Sequence, residues 1–310
     1  MLSRIAESLF WIGRYVERAD DTARLLDVHV QILLEDPWAE EDLACRSLLS
    51  VMDRAAPPEH VDVGREFVLD MLAYDRFAPS SIAGSLVSAR ENARRAREII
   101  STELWECLNA TWNQLPSHMR PARPHDYFTW VRERAAIVAG IMDSATSRDD
   151  TWNFMVLGRS IERADMTARL LTTRALAGSA GPSWTTLLRS CGAHEAFLRT
   201  YRGLETDREA AEFLLLDRLF PRSVMWALTA AERSLNDLES AHQRAGFTDE
   251  ALRLVGKARA DLEYRPLAEV LRDVPGEMRA LQLVCRAAAD AVSARYFDTT
   301  EAVSWAGGRQ

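Results

Sequence analysis

The 310 residues allow one large domain or two of medium size, and either can bury a substantial core. With 47% hydrophobic and 27% charged residues, 14 Gly and 11 Pro, the composition is that of an ordered globular chain leaning towards helix. The formal charge of −8 argues against a nucleic-acid binder and against recruitment to an anionic membrane.

The first residues, MLSRIAESLFWIGRYVERAD, hold a short apolar run interrupted by Glu7 and followed by dense charge from Arg14. That pattern predicts neither a signal peptide nor a spanning helix, and no other segment reaches about 18 uncharged apolar residues. Residues 3–35 read as one long amphipathic helix, capped at Ser3 and stopped by Asp36-Pro37. Its apolar arc holds Ile12, Tyr15, Val16, Ala19, Ala23 and Leu26. A second helix is expected over 39–54 and a shorter one over 62–73. The polar turn YDRFAPSSI then leads into a long helix over 81–112, a loop over 116–124 with three prolines, and a helix over 125–145.

From residue 149 the plan starts again. GRYVERADDTARLL, Gly13 to Leu26, returns as GRSIERADMTARLL, Gly158 to Leu171, with eleven of fourteen positions identical and an offset of 145 residues. LAYDRFAPSSI returns as LLLDRLFPRSV, so that Asp75, Arg76, Pro79 and Ser81 match Asp217, Arg218, Pro221 and Ser223 at an offset of 142. Further helices are expected over 183–200, 205–216, 221–243, 248–262 and 266–296, with 298–310 as a frayed tail. Two blocks in one order at nearly one offset point to an internal duplication, with repeats over about 1–146 and 147–297. No alternation of β-branched residues and no hairpin signal occurs. The expected fold is therefore all-α: a single helical bundle of two similar halves about a pseudo-twofold axis, with the two motif helices at its centre.

On a wheel at about 100° per residue, Gly13, Arg14, Asp20 and Arg24 all fall within about 60° of Glu17, opposite the apolar arc. The second copy keeps Gly158, Arg159, Glu162, Arg163, Asp165, Thr167 and Arg169. A glycine inside a helix costs about 0.5–1 kcal/mol against Ala, so one kept twice marks a close approach by a partner helix or a ligand. The bland reading of the charges is a buried ion-pair network where the helices cross, with Asp20–Arg24 paired at i,i+4 and Arg14–Glu17 at i,i+3. In a functional reading, Glu17 and Glu162 act as acid or base. Arg14, Arg18, Arg24, Arg159, Arg163 and Arg169 then hold a carboxylate or phosphate. A divalent metal on Glu17, Asp20, Glu162 and Asp165 is the weaker alternative, because no His is present and the arginines already balance the acids; no cofactor is expected.

Arg90 and Arg94 belong to a basic stripe whose neutral account is pairing of Glu91 with Arg95 and of Arg94 with Glu98. Asp75, Ser81, Asp217 and Ser223 surround helix starts, so capping explains them, with room for a polar contact to the central network. The tryptophans, among them Trp11, Trp105, Trp112, Trp130, Trp152 and Trp226, are expected to pack in the core. Four scattered cysteines, 45, 107, 191 and 285, form no metal or redox motif and suit a reducing cytoplasm.

The opening LSRIAESLFWIGRYVERADDTARLLDVH resembles the bacterial alpha-E family, a helical domain named for a Glu-Arg motif, here Glu17-Arg18 and Glu162-Arg163. LLLDRLFPRSV and SLVSARENARRARE are similar to it too. The resemblance implies company: members are typically encoded beside an ATP-grasp amide ligase and a transglutaminase-like protein. This chain would then be the component of an amide-forming system that does not itself use ATP. It would bind the ligase or its peptide or carboxylate substrate. An enzyme acting on an anionic substrate and a purely structural scaffold stay open beside that reading, as does homo-oligomerisation. Met166 stands where the first half has Asp21, so the halves need not be equivalent.

Overall fold

The computed structural model describes residues 2–35, 40–121, 123–177, 183–202, 206–239 and 249–297. The expected stop at Asp36-Pro37 and the tail 298–310 lie outside the described residues. In the first half, α1 spans Ser3–Glu35, α2 Glu41–Val51, α3 Arg65–Leu69, α4 Ile82–Arg95, α5 Thr102–His118 and α6 Pro124–Ala145. In the second, α7 spans Asp150–Ala177, α8 Trp184–Ser190, α9 His194–Tyr201, α10 Asp207–Leu216, α11 Val224–Leu238, α12 Glu250–Tyr264, α13 Leu267–Val270 and α14 Val274–Val292. A single π turn follows α3 at Asp70–Tyr74 and another follows α14 at Ser293–Phe297. No strand occurs among the described residues, and the fold is all-α as the pattern predicts.

The two motif helices, α1 and α7, cross at the centre. Helix α1 packs on α4 and α6, and α7 packs on α11 and α14. Helix α5 leans on α4 and α6, as α12 leans on α11 and α14. Each half also reaches over the other: α2 touches α7, and α8 touches α1. The order of packing thus recurs from one half to the other.

This position buries most of α1 and α7, with Trp11, Arg14, Tyr15 and Arg18 only partly covered. The apolar arc of α1 is buried as expected at Ile12, Val16, Ala19, Ala23 and Leu26. The opposite, charged face is buried too: Glu17, Asp20 and Asp21 are each no more than 6% exposed. Amphipathic spacing marks here two kinds of buried contact, not an inside and an outside.

At the crossing the backbones touch. A Cβ on Gly13 would stand 2.0 Å from the carbonyl oxygen of Met155, and one on Gly158 would stand 2.1 Å from that of Phe10. The glycines are needed for the partner helix, not for a ligand.

Several predicted helices prove shorter. The helix expected over 81–112 breaks after Arg95, and Ser101 starts α5 by accepting from the Leu104 amide at 3.2 Å. A Ser-Thr-Glu cap outweighed the continuous helical pattern. Helix α5 instead runs through Pro116, where a loop was expected. The helix expected over 183–200 is two, α8 and α9, separated at Gly192, whose φ of 62° is left-handed.

Gly13→Ala and Gly158→Ala test the crossing. In an open helix Ala gains up to about 1 kcal/mol over Gly. Here each change is expected to cost about 1–3 kcal/mol, because backbone atoms must separate. Urea unfolding of each variant gives the sign.

Candidate functional site

Close approach at Gly13 and Gly158 sets the next turn of each helix against the other. The Glu of one motif then meets the Arg of the other. Glu162 accepts from Nε of Arg18 at 2.6 Å and from its Nη2 at 2.9 Å, and from Nε of Arg14 at 2.6 Å. Glu17 accepts from Nε of Arg163 at 2.6 Å and from its Nη2 at 2.8 Å. Each is a forked guanidinium–carboxylate pair, the geometry that Lys cannot supply. The expected i,i+3 pair of Arg14 with Glu17 does not form, because Arg14 reaches across the crossing to Glu162. The i,i+4 pairs do form: Arg24 to Asp20 at 3.1 Å and Arg169 to Asp165 at 2.8 Å.

The spare nitrogen of each forked arginine is also used. Nη1 of Arg18 donates to the carbonyl of Pro79 at 3.2 Å, and Nη1 of Arg163 to that of Pro221 at 3.0 Å. The turns presenting those carbonyls are built alike. Oδ1 of Asp75 accepts from the Phe77 amide at 2.8 Å, and Oδ1 of Asp217 from the Leu219 amide at 2.8 Å. Ser81 caps α4 through the Gly84 amide at 2.9 Å, and Ser223 caps α11 through the Trp226 amide at 3.0 Å. Asp75, Ser81, Asp217 and Ser223 therefore cap and shape, and the polar link to the network runs through the proline carbonyls. Arg76 is exposed, and Arg218 reaches Glu263 at 2.5 Å.

Most of the basic stripe is solvated, with Arg94, Arg95 and Arg97 exposed, and only Arg90 is partly buried against a neighbouring helix. Arg90 lies over the rings of Trp112 at 4.7 Å and Trp105 at 5.4 Å. Glu91 pairs with Arg90 at 2.5 Å and Arg94 at 3.0 Å. The expected partner Arg95 is not the one used, and Glu98 lies beyond the end of α4. Of the tryptophans expected in the core, Trp130 is buried, whereas Trp11 and Trp226 are half-buried beneath Arg14 and Arg163. All four cysteines are buried thiols.

The most consequential residue that sequence reasoning missed is Arg222. It leaves the turn before α11 and enters the network beside Glu17, with Nη1 donating to Glu17 at 2.9 Å and to Asp21, and Nη2 donating to Asp20. Glu17, Asp20 and Asp21 bring their carboxylate oxygens within 4.8 Å of one another, and the cation among them is this guanidinium. The signal was available: Arg222 aligns with Ser80, and Asp21 with Met166. These two exchanges face each other.

Burial alone would raise the Glu17 carboxyl, but Arg163 and Arg222 outweigh it and hold it at about 2. Glu162 is likewise held at about 2, by Arg18 and Arg14 against burial. Asp21 behaves oppositely. Burial pushes it up to about 8, with Glu17 and Asp20 adding to the push and Arg222 opposing. Its Oδ2 is buried with no hydrogen-bond partner among the described residues, which suits a carboxyl that keeps its proton. Arg159 is the uncompensated arginine: its Nε has no partner among the described residues, and its nearest carboxylate, Asp143, stands 4.0 Å from Nη2.

Around Glu162 the space is open. A cavity of about 320 Å³ reaches Arg14, Arg18, Glu162, Asp165 and Met166. Among the described residues its wall includes neither Glu17 nor Arg159. Cys285 also lines it, and burial raises that thiol well above its usual range, so it is not a thiolate nucleophile at neutral pH.

The reciprocal Glu-Arg crossing has a counterpart in known sequences. Residues 1–297 match the Alpha-E family, described as a predicted alpha-helical domain with a conserved ER motif. The chain belongs to the Alpha-E family. It is similar to an uncharacterized protein of Mycobacterium bovis, 24% identical over 270 residues, covering 76% of this chain and 30% of that protein. An uncharacterized protein of Mycobacterium tuberculosis is 25% identical over 267 residues with the same coverage. The chain thus matches less than a third of the length of these relatives. No solved structure matches it. No helix among the described residues of this Alpha-E chain is long and apolar enough to cross a membrane.

Stability is expected to vary with pH from both sides. Glu17 and Glu162 have lowered values, so their contribution is present above about pH 4.5 and lost as pH falls towards 2. Asp21 has a raised value, so its contribution is full below about pH 4 and lost as pH rises through 8. Asp21→Asn should therefore flatten the decline in stability between pH 5 and 8, which one titrating group makes as steep as about 1.4 kcal/mol per pH unit. Denaturant midpoints across that range measure the difference; parallel curves for variant and parent would refute a raised Asp21.

Proposed function

We propose that this Alpha-E chain is a binding component of an amide-forming system, docking on an ATP-grasp ligase or on its peptide or carboxylate substrate. The observation that carries the reading is the mutual neutralisation of the two motifs. Glu17 and Glu162 each accept from two arginines and are held far below the range of a general base. Groups so fixed hold a scaffold together and do not shuttle protons. The relatives support the reading from another side: the matched segment is 30% of their length, so in them it is joined to a much longer stretch of chain. A domain of this kind works beside other sequence, either fused or as a separate partner.

An enzyme acting on a carboxylate or phosphate at the motif is the reading set aside, because its acid–base candidates are already committed to ion pairs. The cavity beside Glu162 favours a ligand site without requiring turnover.

Co-expression with an ATP-grasp ligase of the kind the family resemblance implies as a gene neighbour should give a complex that co-elutes at micromolar concentration; separate elution would overturn the proposal. Glu17→Gln separates scaffold from catalyst. It leaves Arg163 and Arg222 short of a buried anion and should cost about 3–5 kcal/mol of stability. A change in thermal unfolding of only a degree or two, with an activity lost, would instead mark Glu17 as catalytic.

A further inference from the structure

The two Glu-Arg pairs are alike, but what stands beside them is not. Beside Glu17, Arg222 fills the space between helices. Beside Glu162 the matching turn carries Ser80. That turn is placed in the same way, since Pro79 accepts from Arg18 as Pro221 accepts from Arg163. Ser80 is too short to fill what Arg222 fills, and the cavity of about 320 Å³ includes Ser80, Glu162, Asp165 and Met166 in its wall. Its size lies at the lower end of small-molecule sites, roughly 300–1,000 Å³.

Two groups on that wall have unused capacity. Asp20 spends Oδ1 on Arg24 and Oδ2 on Arg222. Asp165 receives Arg169 on Oδ2 at 2.8 Å, and among the described residues no donor reaches its Oδ1, although the residue is only 8% exposed. Burial raises this carboxyl, with Arg169 and more weakly Arg14 opposing and Glu162 adding. The other group is Arg14. Its Nε is fixed on Glu162 and its guanidinium lies 5.4 Å from the ring centre of Trp11, while its two terminal nitrogens reach no acceptor among the described residues. The side chain is 11% exposed. An acceptor and a donor fork, both largely buried, therefore face one cavity.

The wall carries five arginines and four carboxylates, a near balance that favours neither a bare anion nor a bare cation. Met166, which stands where the other half has its third acid, adds an apolar group to the wall.

We propose that this cavity binds a small zwitterion, a free amino acid or a short peptide, with its ammonium on Oδ1 of Asp165 and its carboxylate on the terminal nitrogens of Arg14. The site deepens the substrate-binding part of the proposed function. It stands apart from ligase docking, because the complex can form with the cavity blocked, and the cavity can bind with no ligase present.

Calorimetric titration of the full chain with alanyl-alanine, alanyl-alanine amide, N-acetyl-alanyl-alanine and alanine tests it. The free dipeptide or alanine should bind, and which of the two is tighter distinguishes a peptide from an amino acid. Blocking either end of the dipeptide should weaken binding at least tenfold if the dipeptide is the ligand. Ser80→Arg places a side chain where Arg222 fits in the other half, so the folded variant should lose binding. Asp165→Asn should weaken binding at least tenfold, and should do so for the free amine more than for the acetylated dipeptide. No binding of any zwitterion at millimolar concentration would overturn the proposal. So would acetylated dipeptide binding as tightly as free dipeptide, or folded Ser80→Arg binding as well as the parent. Should Asp165→Asn fail to fold, the blocked ligands and Ser80→Arg decide.

Discussion

The contact of two glycine backbones at the crossing of α1 and α7 is the constraint on which the rest depends. With a Cβ at either place, the helix axes would have to part, and the carboxylate of one motif would no longer meet the guanidinium of the other at hydrogen-bond distance. The glycines lower intrinsic helix stability, and the packing of a largely buried helix offsets that. Close approach is thus what permits ion pairs to replace apolar packing at the centre of the molecule.

Those ion pairs have to be good because they are buried. Removing a carboxylate and a guanidinium from water costs several kcal/mol each, and a single contact does not return it. Here every acid of the crossing has at least one arginine, and Glu17 and Glu162 have two each. Forked arginines that also reach proline carbonyls leave few donors unmet. The turns before α4 and α11 are tied to the crossing through those carbonyls. The capped helix starts and the ion pairs consequently settle one another's positions. Such a network specifies which helices meet and in what register more than it adds stability.

The all-α class and the bounds of α1 were legible because apolar spacing over 33 residues is a strong signal. The central placement of the motif helices was legible from the repeated glycine, whose only cheap explanation is a close neighbour. Interruptions were less so. The break at residues 96–101 contains neither Gly nor Pro, and a lone Ser101 cap is easily read as helix interior. At the site, the residue types of the network were legible but their partners were not. Spacing along one helix suggested Arg14 with Glu17, and only the crossing geometry sends Arg14 to Glu162. Arg222 lay hidden inside an aligned block in which its neighbours matched and it did not. A mismatch in a repeat carries as much information as a match when a second mismatch, Asp21 against Met166, has the complementary charge.

That paired exchange explains how one molecule can hold both a closed and an open version of the same crossing. Glu17 and Asp20 draw a cation from outside the motif, and Arg222 supplies it, also donating to Asp21, while filling the space. On the Glu162 side Met166 stands in place of Asp21, and Arg14 turns inward to donate to Glu162. Its counterpart Arg159 has no such role and makes no hydrogen bond to Glu17. Without a long side chain at position 80, Glu162 keeps its two arginines, while Oδ1 of Asp165 has no donor among the described residues and a volume stays open. The Glu17 side fixes the crossing, and the Glu162 side, fixed by the same helices, keeps its cavity without having to hold the fold together alone.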